Sequence, residues 1–346
     1  MKKFVVALAA VVAVVSMMFC GCGQSKPVLH LYNWSDYIDP EVVSEFEAKF
    51  NCRVVTDTFD SNESMFAKLK AGATGYDIVF PSSYMVSVMH EQGLLQEIDT
   101  SKIPNLANLD KGYDSVIADP SYKISVPYMV SNAGIAYNKE RCPDFEASWS
   151  MFGNTKYNRA CTLLNDMRET IGAALKSLGY SFNTTNEAEV AEAADLVIKW
   201  SKNIAKFDNE LYKNGIASGH FVFVHGYNGD LGQVIDENDN IAYALPKEGV
   251  SIACDEMVIP RTAKEIELAH AFINFVHEPA IAARNMEFTC FLCPNAKSYE
   301  LLPEEVRSNE AIFIPENIRD KSETIRDLGE NNIIYIKAWD RIKAAQ

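Results

Sequence analysis

Apolar residues recur along this chain with two periods, two and about three and a half, and they sort it into strands and helices. Val28 to Tyr32 is a short apolar run that reads as a strand. Pro40 follows a few residues later and opens a helix on which Val42, Val43, Phe46 and Phe50 share a face. Asp39 is placed to cap that helix, and Pro40 sits in its first turn, where a missing N–H costs nothing. Arg53 to Phe59 alternates like a strand and ends in Asp60-Ser61-Asn62-Glu63. Asn62 starts a second helix carrying Met65, Phe66 and Leu69 and closed by Gly72. Asp77 to Phe80 is a short buried strand, followed by Pro81-Ser82-Ser83-Tyr84 and a third helix to Gly93. Three strand–helix repeats in a row predict a parallel sheet with right-handed crossovers.

The remainder is less regular. Leu94 to Lys123 is loop-rich; Ile124 to Tyr128 and Ala133 to Tyr137 read as two strands. Thr162 to Leu164 is a short strand leading into a helix from Arg168 to Leu178. Ala188 to Trp200 is an amphipathic helix, Phe221 to Val224 a strand, and Tyr227-Asn228-Gly229 a turn or a helix start. Ile241 to Leu245 is a strand, and Ile252 to Ile259 is apolar except for Asp255 and Glu256. Glu265 to His277 is helical, Pro294 to Arg326 mixed, and Asn332 to Ala345 a terminal helix. With no repeats and no linker rich in Pro, Gly or Ser, the pattern predicts lobes joined by crossing strands.

The 346 residues leave room for two domains, and 48% are apolar. Residues 1–22 stand apart. Lys2 and Lys3 precede an apolar stretch, Phe4 to Phe19, of secretory type and too short for a comfortable membrane span. The segment ends in Cys20-Gly21-Cys22, which resembles the lipobox of bacterial lipoproteins, with Cys22 as the lipidated residue. Cys20 is the alternative acceptor, and a plain signal peptide the alternative reading. The net charge of −15 becomes −17 once Lys2 and Lys3 are removed. Such a field disfavours nucleic acid and anionic substrates and steers cations inward. Six cysteines remain: Cys52, Cys142, Cys161, Cys254, Cys290 and Cys293. The lone CxxC at 290–293 has no second CxxC and no histidine at finger spacing, which argues against zinc and leaves a structural pair or free thiols. No P-loop, GxGxxG, GxSxG or HExxH is present, so neither a cofactor nor catalytic machinery is expected. Among the six histidines, His225 at a strand end is the candidate for touching a ligand, while His270 and His277 share a predicted helix face.

The candidate chemistry lies on loops that leave strand ends, where α/β folds place ligand crevices. Trp34, Ser35, Asp36 and Tyr37 set a hydroxyl and a carboxylate between two aromatic faces, a set that suits an ammonium. The competing reading is two core aromatics and a solvated charge. Ser82 and Tyr84 leave the same sheet edge, although Ser82 can also cap its helix. Asp166 and Glu169, three apart at a helix start, form an Asp version of a capping box, face the crevice, or do both. Asp255 and Glu256 are costly inside an apolar run unless paired, with one of them free to face water if the strand is an edge.

Several motifs, in order, resemble the spermidine/putrescine-binding proteins of bacterial ABC transporters, the PotD-like group. They are Tyr-Asn-Trp-Ser-Asp-Tyr-Ile (32–38), Asp-Ser-Asn-Glu (60–63), Tyr-Asp-Ile-Val-Phe-Pro-Ser (76–82), Asn-Asp-Met-Arg-Glu (165–169), Pro-Lys-Glu-Gly (246–249) and Asp-Glu-Met-Val-Ile-Pro (255–260). The resemblance implies a two-lobe α/β periplasmic binding protein of type II, with mixed, mainly parallel sheets, helices on both faces and a hinge between the lobes. After the leader and Cys22 at 1–22, it implies a first lobe of 27–131 and 256–306. The second lobe takes 132–255 and 307–346. Trp34 and Tyr37 are implied to line a methylene chain, with Ser35, Asp36, Ser82 and Tyr84 holding one end. Asp166 and Glu169 are implied to bind amines from the other lobe, and Asp255 to pair with an ammonium in the cleft. Tyr227 falls where the family has a stacking Trp, Phe291 where it has a Tyr, and Ala253 where many members have a second Trp. The implied partners are a polyamine, spermidine or putrescine, and an ABC permease in the inner membrane. The implied state is a monomer in the periplasm, lipid-anchored at the inner membrane, with no metal and no nucleic acid. Ferric iron, a betaine or an amino acid are competing ligands for the same fold. An enzyme acting on amines or cell-wall material and an adhesive lipoprotein are the readings from other classes.

Overall fold

A computed structural model describes residues 26–345, so the leader and Cys22 lie outside the described residues. Ten strands are β1 (Val28–Asn33), β2 (Arg53–Thr58), β3 (Ile78–Val79), β4 (Val126–Asn138), β5 (Cys161–Leu163), β6 (Lys206–Phe207), β7 (Phe223–Tyr227), β8 (Ile241–Ala244), β9 (Ser251–Met257) and β10 (Glu323–Thr324). The helices before Ser251 are α1 (Pro40–Phe50), α2 (Asn62–Lys70), α3 (Ser83–Glu91), α4 (Met167–Ser177), α5 (Glu187–Ser201), α6 (Tyr212–Ala217) and α7 (Asn228–Glu237). After it come α8 (Ile266–Val276), α9 (Pro279–Thr289), α10 (Glu304–Arg307), α11 (Glu316–Arg319) and α12 (Asn332–Ala344).

The first three strands form the expected parallel sheet, in the order β2-β1-β3. Helix α1 shows why the pattern is so readable here. Asp39 accepts a hydrogen bond from the Glu41 N–H, Pro40 occupies the first turn, and Asn51 in the left-handed region stops the helix. Its buried face puts Phe46 5.0 Å from Phe272 and 5.5 Å from Phe275. Truncating such a buried Phe to Ala costs about 3–5 kcal/mol.

The second sheet is mixed, ordered β10-β9-β4-β7-β5-β6, with β8 also on β4. Its spine is β4, which the pattern of residues reads as two strands and which is one continuous strand of 13 residues. The polar pair Ser131-Asn132 interrupts the apolar run without breaking the ladder. The Asn132 N–H donates to Asn228 Oδ1, its side chain donates to the Ala311 carbonyl, and its Oδ1 accepts from Tyr243. The first half of β4 pairs with β9 and the second half with β7 and β8. Two apolar cores flank this spine. One gathers Leu29, Leu31, Phe46, Tyr128, Met257 and Phe272, and the other Ile135, Trp149, Phe152, Trp200, Phe223 and Tyr335.

One helix lies where no element was expected, and two further expectations change. Helix α9 has a core face built from Ala282, Ala283, Asn285 and Thr289 as well as Ile281 and Met286, a polarity that hides it from a periodicity count. Strand β7 lies two residues further along than expected, because His225 and Gly226 extend it. Strand β9 is not an edge; it lies between β10 and β4, and a bridge from Val258 to Val79 joins its continuation to the first sheet. Neither of its acids faces water: Asp255 is 8% exposed and Glu256 is 0%.

Candidate functional site

Residues paired across an antiparallel ladder share a face, as do residues two apart on one strand. Met129 pairs with Asp255, Ser131 with Ala253, and Ala133 with both Ser251 and Tyr227. One face of the spine therefore carries Ser131, Ala133, Ser251 and Ala253, a floor of small residues, with Asp255 at one end and Tyr227 at the other. Glu256 points to the opposite face, where the Ser125 hydroxyl and the Ala118 N–H donate to its carboxylate. It is a structural acid.

Asp255 is a buried charge held by two hydroxyls. The Tyr37 hydroxyl donates to its Oδ2 at 2.7 Å, and the Ser82 hydroxyl to its Oδ1 at 2.6 Å. Ser82 sits at the start of α3 but makes no capping bond with its side chain, because the hydroxyl is spent on Asp255. Asn62 fixes Ser82 from both sides: its Oδ1 accepts from the Ser82 N–H and its Nδ2 donates to the Ser82 hydroxyl, each at 3.0 Å. Tyr37 is held in turn, with its carbonyl accepting from Tyr128 and Phe291 packed edge-on at 5.0 Å. Burial pushes the Asp255 carboxyl up to about 6, against the pull of the two hydroxyls. No cation balances it: among the described residues Asp255 forms no ion pair.

The β1–α1 loop supplies the rim. Asp36 adopts a left-handed backbone at φ 52°, and Ser35 and Asp36 are exposed. Trp34 is half-buried; its indole N–H donates to the Phe80 carbonyl and its ring lies 4.3 Å from Phe59.

A second group of acids stands at the β5–α4 junction. Asp166 caps α4 by accepting from the Glu169 N–H at 3.0 Å, and its other oxygen accepts from the Tyr227 hydroxyl at 3.4 Å. The first half of a capping box is thus real, and it leaves Asp166 facing Tyr227. Glu169 is 5% exposed. Burial first, and the Asp166 charge second, push its carboxyl well above the carboxylate range. Arg168, between them in sequence, points away: it donates to the carbonyls of Phe182 and Arg326 and to Asn183, and stacks on Tyr335 at 4.5 Å.

The two groups meet through tyrosines. The Tyr84 hydroxyl donates to Glu63 at 3.1 Å and lies within the field of Asp166. On the far side, Asp230 accepts from Tyr212 and feels the charge of Asp36. The structure thus brings together Tyr37, Ser82, Asp255 and Phe291 as one constellation and Asp166, Glu169 and Tyr227 as another. It leaves Trp34, Ser35, Asp36 and Tyr84 along the rim. His225 is not there: it is fully buried against Trp149, and burial lowers it to about 3. The six described cysteines are free and buried, Cys290 and Cys293 included.

Residue patterns missed Asn62, Glu63 and Asp230. Asn62 and Glu63 stood out as a helix start and as part of a resemblance motif, with no ligand role attached. Asp230 follows Tyr227 by three residues on the first turn of α7, a spacing that puts both on one side of that turn.

Comparison with known proteins identifies the family and the fold. A family model described as bacterial extracellular solute-binding protein matches residues 41–314. The putrescine-binding periplasmic protein SpuD of Pseudomonas aeruginosa is 32% identical over the full length of both chains. A solved structure described as a putative spermidine/putrescine ABC transporter from Listeria monocytogenes superposes with a TM-score of 0.86 at 35% identity, covering 93% of this chain and 100% of that one. The TpPotD lipoprotein of Treponema pallidum gives 0.81 at 36% identity, covering 91% and 99%. This chain belongs to the bacterial extracellular solute-binding proteins, and its fold is that of a two-lobe periplasmic binding protein.

Proposed function

We propose that this chain is the receptor of an ABC importer, and that it captures spermidine or putrescine in the cleft between its two cores. The observation that carries the reading is Asp255, a buried carboxylate oriented by two hydroxyls and left without a cation. A desolvated charge of this kind is costly until an opposite charge arrives. The floor of small side chains and the aromatic rings of Trp34, Tyr37, Tyr84 and Tyr227 suit methylene chains between ammoniums. Asp255 lies at one end of the floor, and Asp166 and Glu169 stand beside Tyr227 at the other, a spread that suits the separated charges of a polyamine. An amino acid would need a cation for its carboxylate, and Arg168 is engaged elsewhere.

In this reading Trp34, Ser35, Asp36, Tyr37, Ser82, Tyr84 and Asp255 hold the ligand from one side and Asp166, Glu169 and Tyr227 from the other, with Phe291 behind Tyr37. The lobes are 27–131 with 256–306 and 132–255 with 307–346. Ligand bridging them shifts the equilibrium towards a closed form that the permease reads. No covalent step is involved. Cys22 carries the acyl anchor of a monomer held at the inner membrane, a reading supported by the relative described as a lipoprotein.

The test is calorimetric titration of the chain without residues 1–22, stripped of bound ligand, with putrescine, cadaverine, spermidine and spermine. Amino acids and ferric citrate serve as controls. Saturable one-to-one heat with one or more polyamines is expected. Silence with all four from folded protein overturns the reading.

A further inference from the structure

The tetrad Asp60-Ser61-Asn62-Glu63 divides its labour unevenly. Ser61 caps α2 by accepting from the Ser64 N–H, and Asp60 accepts from the Ser64 hydroxyl. Asn62 grips Ser82. Glu63 sits in the first turn of α2, where its charge suits the helix dipole, and holds no other element in place. It is exposed, it forms no ion pair among the described residues, and its one side-chain hydrogen bond comes from Tyr84. It stands near enough to Asp166 for their charges to repel, and both act on Tyr84.

Behind this outer pair lies a second acid that forms no ion pair among the described residues. Glu169 is buried with its carboxylate beside the Ser251 hydroxyl, and that hydroxyl, also buried, has no partner at normal hydrogen-bond geometry. Arg168 is turned away. Three carboxylates therefore gather at one end of the cleft, where Arg168 is near enough to pull Asp166 and Glu169 down but forms an ion pair with neither. They do not converge tightly enough to serve one point charge. They are arranged as a sequence: Glu169 deepest, Asp166 next, Glu63 outermost.

We propose that Glu63, together with the Tyr84 hydroxyl, forms an outer ammonium station. It takes an additional charge of a triamine or tetraamine beyond the ammonium held by Asp166 and Glu169. The proposal rests on the polyamine reading above and adds a determinant of ligand length to it. A diamine has its two charges met by the buried acids, Asp255 and the Asp166–Glu169 pair, and gains little from Glu63. An exposed pair of this kind is worth about a fivefold change in affinity and is screened by salt.

Calorimetry on Glu63→Gln and Tyr84→Phe with putrescine, spermidine and spermine tests this. Gln preserves shape at an exposed position, and unchanged thermal melting confirms the fold. Glu63→Gln is expected to weaken spermine, or spermine and spermidine, about fivefold and putrescine less than twofold. It should also flatten the salt dependence of spermine affinity. Tyr84→Phe should leave that salt dependence in place, because the charge remains. Unchanged spermine affinity, tighter binding, or equal loss for diamine and tetraamine would each overturn the station. If the wild-type chain itself gives no heat with any polyamine, the polyamine reading has failed and takes the station with it. A silent wild type is readily told apart from an insensitive variant.

Discussion

Asp255 and Glu169 are almost equally hidden, at 8% and 5% exposure, yet the fold treats them differently. Asp255 receives two hydroxyl donors, and those donors are themselves tied down by Asn62 and Tyr128. Glu169 receives another acid three residues before it and no donor of normal geometry. The contrast separates two ways of awaiting a cation. Donors hold a carboxylate in place and keep part of its charge in reserve, so the incoming ammonium finds a fixed target. A crowded acid with only the Ser251 hydroxyl beside it keeps its proton more firmly and ionises as the ammonium arrives. The first arrangement favours geometry, the second charge.

That contrast can be broken most severely at Asp255. Asp255→Asn keeps the shape and lets Tyr37 or Ser82 rotate to accept from the new amide, so ligand-free melting should hold or rise. Titration should show polyamine affinity falling by about a hundredfold or more, because the ammonium then enters a dry site without its counter-charge. Affinity within a few-fold of wild type would remove Asp255 from the site. A smaller loss, about tenfold, is expected for Glu169→Gln, since Asp166 remains beside it. The ligand-free protein should gain stability from losing the like-charge neighbour; a variant that melts earlier would contradict the crowding.

The subtlest test uses pH. An ammonium binds ionised Asp255, so affinity should fall as pH drops through about 6 in the wild-type protein. Ligand-free stability runs the other way. An acid raised on folding takes up a proton as the chain folds, so its share of stability is fullest below the unfolded carboxyl range and declines as pH rises towards about 6. Ser82→Ala removes a donor that lowers Asp255, so the affinity midpoint should move to higher pH. A midpoint that stays put would show that Ser82 does not tune the charge.

Much of the first core was legible because its helices carry explicit punctuation, such as Asp39-Pro40 before Val42 and Phe46. The spine was not. Ser131 and Asn132 look like a loop in sequence, since the hydrogen bonds that hold Asn132 go to residues from 96 to 179 positions away. Asp255 could be suspected from its cost inside an apolar run, and the same reasoning selected Glu256 equally. Only the pleat separates them, one towards the floor and one towards Ser125. Tyr37 and Phe291 lie far apart in the chain, and nothing local joins them. The motif resemblance supplied that link where periodicity had none. Ser82 shows the opposite error: a residue at a helix start looks like a cap, while its hydroxyl is committed across the sheet.

The interleaving of the two cores sets the order in which the chain can fold. The first core joins residues 29–130 to residues 252–312, whereas most of the second lies within 135–250 before α12 closes over it. A chain emerging from its N-terminus makes β1, α1 and β2 early but cannot complete their core until β9 and α8 exist. Closing so long a loop is slow, and Leu29, Val42 and Phe46 stay solvent-accessible meanwhile. A polypeptide that ends before Ser251 would hold these side chains permanently in that unfinished state.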